Sequence, residues 1–158
     1  MTDDCTRWLD DEEQHAWRSF LRAASAIDEA LDRQLQRDAG MPHAYYQVLA
    51  MLSEAPGRSL RMSELARTTS SSPSRLSHAV SRLEERGWVR RDKHPTDRRG
   101  AVAVLTDEGF AAVVAAAPGH VTAVREAFFD RVDDEQLAVL ADVFEDLAQE
   151  GGVGPDVA

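Results

Sequence analysis

The chain is poor in the residues that disulfide-bonded, membrane-spanning and catalytic proteins depend on. It carries one cysteine, Cys5, so no intramolecular disulfide framework can form, and a reducing, cytoplasmic setting suits it. No apolar run approaches the roughly 18 residues that suggest a membrane span. The start, Met1-Thr2-Asp3-Asp4-Cys5, has neither the basic nor the apolar region of a secretory leader. There is no glycine-rich phosphate loop, no metal motif, no credible nucleophile–base pair and no internal repeat. Catalysis therefore finds no foothold, and no cofactor is called for. Lysine is almost missing too: of 18 basic residues only Lys93 is one. Arginine, a planar fork of five donors, carries nearly all the positive charge.

What is present is an uneven distribution of charge. The chain has 158 residues, enough for one domain or for one whose helices complete a core with a second subunit. Its formal charge is −10, yet Arg58 to Gly100 holds 11 Lys+Arg against 5 Asp+Glu, a local net of +6. A basic module inside an acidic protein is the footprint of a DNA-binding element, because only a local positive surface can engage phosphates when the whole molecule is repelled. A solvated charged surface is the blander reading of the same clustering.

The periodicity predicts a mainly helical α+β fold. A long helix runs from about Asp11 to Ala39 on Trp17, Phe20, Leu21, Ala24, Ile27, Leu31 and Leu35, with Gly40 as its stop. A second apolar stripe, Tyr45, Val48, Leu49 and Leu52, ends at Pro56-Gly57, and a short third helix starts near Ser63. Ser72-Pro73 is the clearest start signal: a serine N-cap followed by proline, whose missing N–H costs nothing in the first turn. Leu76, Ala79, Val80 and Leu83 of that fourth helix face inward, and Gly87 closes it. Strands are expected at Trp88–Arg91 and Ala101–Leu105, joined by a basic loop. Thr106-Asp107-Glu108 opens a fifth helix, which Pro118-Gly119 should kink or break. Asp133 with Gln136 caps the last helix, bearing Leu137, Leu140, Phe144 and Leu147.

Ser63-Glu64-Leu65-Ala66, the run from Ser74 to Val89, Asp97-Arg98-Arg99-Gly100 and Leu105-Thr106-Asp107-Glu108-Gly109 together resemble the MarR family of bacterial transcriptional regulators, over about residues 12 to 149. The resemblance implies a winged helix-turn-helix homodimer. Residues 1–40 would then be an N-terminal dimerisation helix, 41–106 the DNA-binding region, 107–150 C-terminal dimerisation helices and 151–158 a tail. It further implies that the helix after the serine-rich turn enters the major groove and that the hairpin wing reaches the minor groove.

The residue chemistry suits those roles. Ser74, Arg75, Ser77 and His78 are candidate base readers, while Arg82 is better placed for phosphate, and Ser72 at the cap is a further phosphate donor. In the wing, Arg90, Arg91 and Lys93 are candidate phosphate neighbours. Arg99 or Arg98 is the minor-groove probe, with Asp97 either orienting an arginine or simply forming the turn. The resemblance also implies an aromatic or anionic effector, and Trp17, Phe20, His43, Tyr45 and Tyr46 are the candidates to line its pocket. These aromatics equally suit a plain core, Tyr46 least, since it lies off the stripe of its helix. Oxidant sensing lacks a cysteine in the first helix, and the five histidines have no ligand spacing. A protein–protein winged-helix module is the rival reading.

Overall fold

The local capping signals fix most element boundaries. In the computed structural model, which describes residues 6–93 and 100–150, the first helix (α1, Asp11–Ala39) begins at a capping box in which Glu13 N donates to Asp10 Oδ1 at 2.8 Å and Asp10 N to Glu13 Oε2 at 3.0 Å. It ends at Gly40, whose φ of 62° would strain any residue with a Cβ, with the glycine N–H turned back to the Leu35 and Gln36 carbonyls. The other helices follow: α2 (His43–Glu54), α3 (Met62–Thr68), α4 (Pro73–Glu85), α5 (Asp107–Ala127) and α6 (Asp134–Glu150). The expected serine cap holds at α4, where Arg75 N donates to Ser72 Oγ at 3.3 Å. The Asp133–Gln136 box holds at α6, with bonds of 2.8 and 3.1 Å. Among the described residues no helix is long and apolar enough to cross a membrane.

Three strands, not two, form the sheet: β1 (Ser59–Arg61), β2 (Val89–Lys93) and β3 (Ala101–Leu105), antiparallel in the order β1-β3-β2. Leu60 pairs with Ala103, and Arg91 faces the same residue from the other side. At three residues β1 is too short to show an alternation in sequence; it becomes a strand because β3 supplies its ladder.

The core lies where α2, α3 and α4 meet the sheet. Leu49, Leu52, Leu65, Leu76, Val80 and Leu83 are inaccessible or nearly so, and Val89, Ala103 and Leu105 close it from the strand side. The Leu105-Thr106-x-x-Gly109 segment joins β3 to α5 through one side chain. Thr106 Oγ1 accepts from Gly109 N at 3.0 Å and donates to the Gly87 carbonyl at 2.7 Å, while Thr106 N donates to the Trp88 carbonyl at 3.0 Å. Gly109 is pressed so closely onto Trp88 that an added Cβ would overlap the Trp88 carbonyl oxygen and lie 2.9 Å from its carbon.

Pro118-Gly119 does not interrupt α5, which stays helical from Asp107 to Ala127. The proline removes one backbone donor, and Thr122 Oγ1 bonds its carbonyl at 3.0 Å. Packing against α1, the most extensive contact of α5, outweighs the loss. Gly119 aids that packing: a Cβ there would sit 3.1 Å from Gln34 Nε2. By contrast α6 touches the rest of the protomer only marginally and buries no residue among its described side chains.

Gly109→Ala is expected to lower stability by about 3 kcal/mol, since the obstacle is backbone and cannot rotate away. Thermal unfolding at fixed protein concentration checks it; an unchanged Tm would contradict the close approach.

Candidate nucleic-acid interface

Helix α4 is divided sharply into two faces. Leu76, Ala79, Val80 and Leu83 are buried, so the 3.6-residue repeat turns Ser74, Arg75, Ser77, His78 and Arg82 to solvent, all of them exposed along with the cap residue Ser72. Among the described residues nothing engages the Arg75 or His78 side chains in a hydrogen bond or ion pair. Arg82 does have a partner, Glu85 Oε2, at 2.8 Å. Both side chains are more than half exposed, so water and salt screen the pair and a phosphate can compete for it.

The basic residues of β2 are not equivalent. Arg90 is held by Asp92 on the same face of the strand, with nitrogen–oxygen distances of 3.0 to 3.2 Å. Arg91, expected to face phosphate, is turned back onto α4, where its Nη2 donates to the Ser77 carbonyl at 2.6 Å. Lys93 is exposed at the end of the strand. Asp97, Arg98 and Arg99, the wing-tip candidates, lie outside the described residues.

Within the protomer, the five residues expected to line an effector pocket are not gathered at one place. Trp17 and Phe20 stack on each other with centroids 5.8 Å apart, and both stay about half exposed rather than joining the core. His43 instead meets α1 at Asp28 and Asp32, 11 and 15 residues beyond Trp17, which at about 3.6 residues per turn is roughly three to four turns away. Tyr46, placed off the core stripe by its spacing, is buried, whereas Tyr45 is only partly so. The reason is that α2 packs against α1 and α5 as well as against α3 and α4, so more than one stripe is covered.

What the structure does assemble is a polar junction of α1, α2 and α5. His43 N donates to Asp32 Oδ1 at 2.9 Å, and His43 Nδ1 lies 2.9 Å from Asp28 Oδ1. The His120 ring sits 4.2 Å from that of Tyr46 and 5.4 Å from that of His43. Its Nδ1 is buried without a partner among the described residues, as is Gln34 Oε1. Nothing in the sequence marked His120, an isolated histidine after Pro118-Gly119; the fold alone brings it to His43. Arg86 was likewise unmarked. Its guanidinium donates twice to the Gly40 carbonyl at 3.1 Å and lies 5.0 Å from the Trp88 ring, tying the end of α1 to the end of α4.

Burial, and secondarily the neighbouring His43, holds the His120 pKa below the ordinary histidine value of about 6.5. The unfolded chain therefore takes up a proton near that pH while the folded one resists it. Stability attached to this group is present above about pH 6.5 and is lost as the pH falls below it. His120→Asn is expected to flatten the fall in Tm between about pH 7 and 5, a window above most carboxylate titration. An identical slope in the two proteins would contradict the burial argument.

Comparison with known proteins points one way. The MarR family pattern matches residues 39–100, the stretch from the end of α1 to the residue before β3. The chain is 30% identical over 112 residues to the HTH-type transcriptional repressor YetL of Bacillus subtilis, covering 69% of this chain and 67% of that one. Among solved structures it is similar to Sco3205 of Streptomyces coelicolor, a MarR family transcriptional regulator determined in complex with DNA. There the identity is 53%, the TM-score 0.87, and the coverage 94% of this chain and 96% of that one. AbsC from the same organism, also a MarR family transcriptional regulator, is 41% identical at a TM-score of 0.86, covering 92% of this chain and 97% of that one.

Proposed function

The chain belongs to the MarR family of transcriptional regulators, and we propose that it binds a pseudo-palindromic DNA operator as a homodimer and represses transcription from it. The observation that carries this reading is the exposed face of α4, where Ser74, Arg75, Ser77 and His78 offer donors and acceptors opposite a fully buried stripe. Arg82 and Lys93 serve as phosphate ligands beside that face, with Ser72 at the cap, and the β2–β3 hairpin is the wing, with Asp97, Arg98 and Arg99 between its strands in sequence as further DNA contacts. Sco3205 was determined with DNA bound, which supports the same use of a similar fold here.

A second copy is the natural cover for α6. Helices in proteins draw most of their stability from packing an apolar face, yet α6 leaves Val139, Val143, Phe144 and Leu147 about half exposed. Trp8, Trp17 and Phe20 are exposed near the other end of the chain. A small aromatic or anionic effector would fit the α1–α2–α5 junction, where His43, Tyr46 and the unpartnered His120 Nδ1 offer both a ring surface and polar atoms. The wider set with Trp17 and Phe20 is not supported within one protomer.

Light scattering at micromolar concentration is expected to give a dimer; a stable folded monomer would remove the two-fold geometry and the half-sites about 10 bp apart that follow from it.

Fluorescence anisotropy with duplexes from the gene's own upstream region tests the DNA reading. Arg75→Ala should cost about 1–3 kcal/mol per half-site and relax sequence preference. Arg82→Ala should weaken specific and random duplexes alike and make the salt dependence shallower. An unchanged specific-to-random ratio in Arg75→Ala would reject base reading by that face.

A further inference from the structure

We propose that Arg91 is a positioning residue for base reading, which locks the wing onto the recognition helix and turns the Ser77 hydroxyl outward as a hydrogen-bond donor. The proposal rests on the DNA-binding reading of α4. Arg91 sits in β2 opposite Ala103 and reaches three positions of α4 on one face, at 77, 81 and 84. Nη2 donates to the Ser77 carbonyl at 2.6 Å and to Ser81 Oγ at 3.1 Å, and reaches Ser77 Oγ at 3.4 Å. Nε lies 3.4 Å from Glu84 Oε2, while the backbone N of Arg91 donates to Glu84 Oε1 at 3.0 Å. Side chain and main chain of one strand residue thus grip the helix together.

The surroundings separate this arginine from a phosphate ligand. The Arg91 and Glu84 side chains are only 31% and 33% exposed, against 53% and 62% for the Arg82–Glu85 pair, so their contact is less screened by water. Nε and Nη2 of the fork already face protein acceptors, whereas a bidentate phosphate contact needs the fork turned outward.

A chemical consequence follows at Ser77. A guanidinium has donors only, so a hydroxyl approached by one takes the acceptor role and its own hydrogen points elsewhere. The Ser81 hydroxyl shows the same logic: it accepts from Arg91 and donates to the Ser77 carbonyl at 3.0 Å. Ser77 is left presenting a donor on the exposed face. In the major groove that donor suits the acceptors of guanine, adenine and thymine, and not the amino group of cytosine.

The test uses a duplex selected by the wild-type protein from a randomised pool, and a scrambled duplex of equal length, titrated across a salt series. Arg91→Gln should lower the specific-to-scrambled affinity ratio about tenfold, the scale of one lost base contact, with the salt slope unchanged. Glu84→Gln should lower the ratio in the same direction although it removes a negative charge, and it remains informative if Arg91→Gln folds poorly. In the free protein, both substitutions should speed hydrogen exchange in α4. Equal losses on both duplexes, with a slope shallower by about one, would mark Arg91 as a phosphate ligand and overturn the proposal. Unchanged exchange in α4 would overturn the clamp without touching the DNA reading. A pool that yields no preferred duplex would overturn the DNA reading itself, and the exchange measurement on free protein tells that failure apart.

Discussion

Burial of one stripe of α4 is the constraint on which the rest of the molecule depends. Leu76, Ala79, Val80 and Leu83 are held against α2, α3 and the sheet, and an α-helix that buries one stripe must present the opposite one. The direction in which Arg75 and His78 point is therefore a packing result before it is a recognition result. Ser72 and Pro73 start the helix within two turns of those residues, which places both in its N-terminal half.

The basic module owes its character to how its arginines are divided. Arg90, Arg82 and Arg91 all have acidic partners, but in different settings. The first two pairs are open to water and exchangeable, while Arg91 is drawn partly out of solvent between Glu84 and the α4 backbone. A net local charge of +6 is a property of composition; which of those charges are available to DNA is a property of geometry. Arg86 is a further case, spent on the Gly40 carbonyl, where it joins the end of α1 to the end of α4.

That junction links two regions of different character. The core around α2, α3 and α4 is nearly inaccessible, whereas α1, α5 and α6 carry the large exposed apolar side chains. His43, Tyr46 and His120 lie between them, at the point where α2 enters the core and α1 meets α5. His43 ties the start of α2 to α1, its backbone N–H to Asp32 and its ring to Asp28. Among the described residues, His120 Nδ1 and Gln34 Oε1 are the buried side-chain polar atoms left without a hydrogen-bond partner, and each carries an uncompensated desolvation cost.

The amino-acid sequence by itself determined the elements whose signals are local. The span of α1, the Ser72 cap of α4, the limits of β3 and the box at α6 were all legible, because capping and periodicity act within a few residues. The exposed face of α4 was legible for the same reason: four buried positions at helical spacing name their own opposite side. Only the tertiary structure decided the rest. β1 exists because β3 pairs with it, α5 survives Pro118 because α1 packs along it, and Tyr46 is buried because α2 is covered on more than one side. Arg91 and His120 acquired their partners across 14 and 77 residues of chain respectively, from α4 and from His43. Contacts at that separation leave no periodic trace in the sequence, since they are set by how elements pack and not by what any one of them prefers.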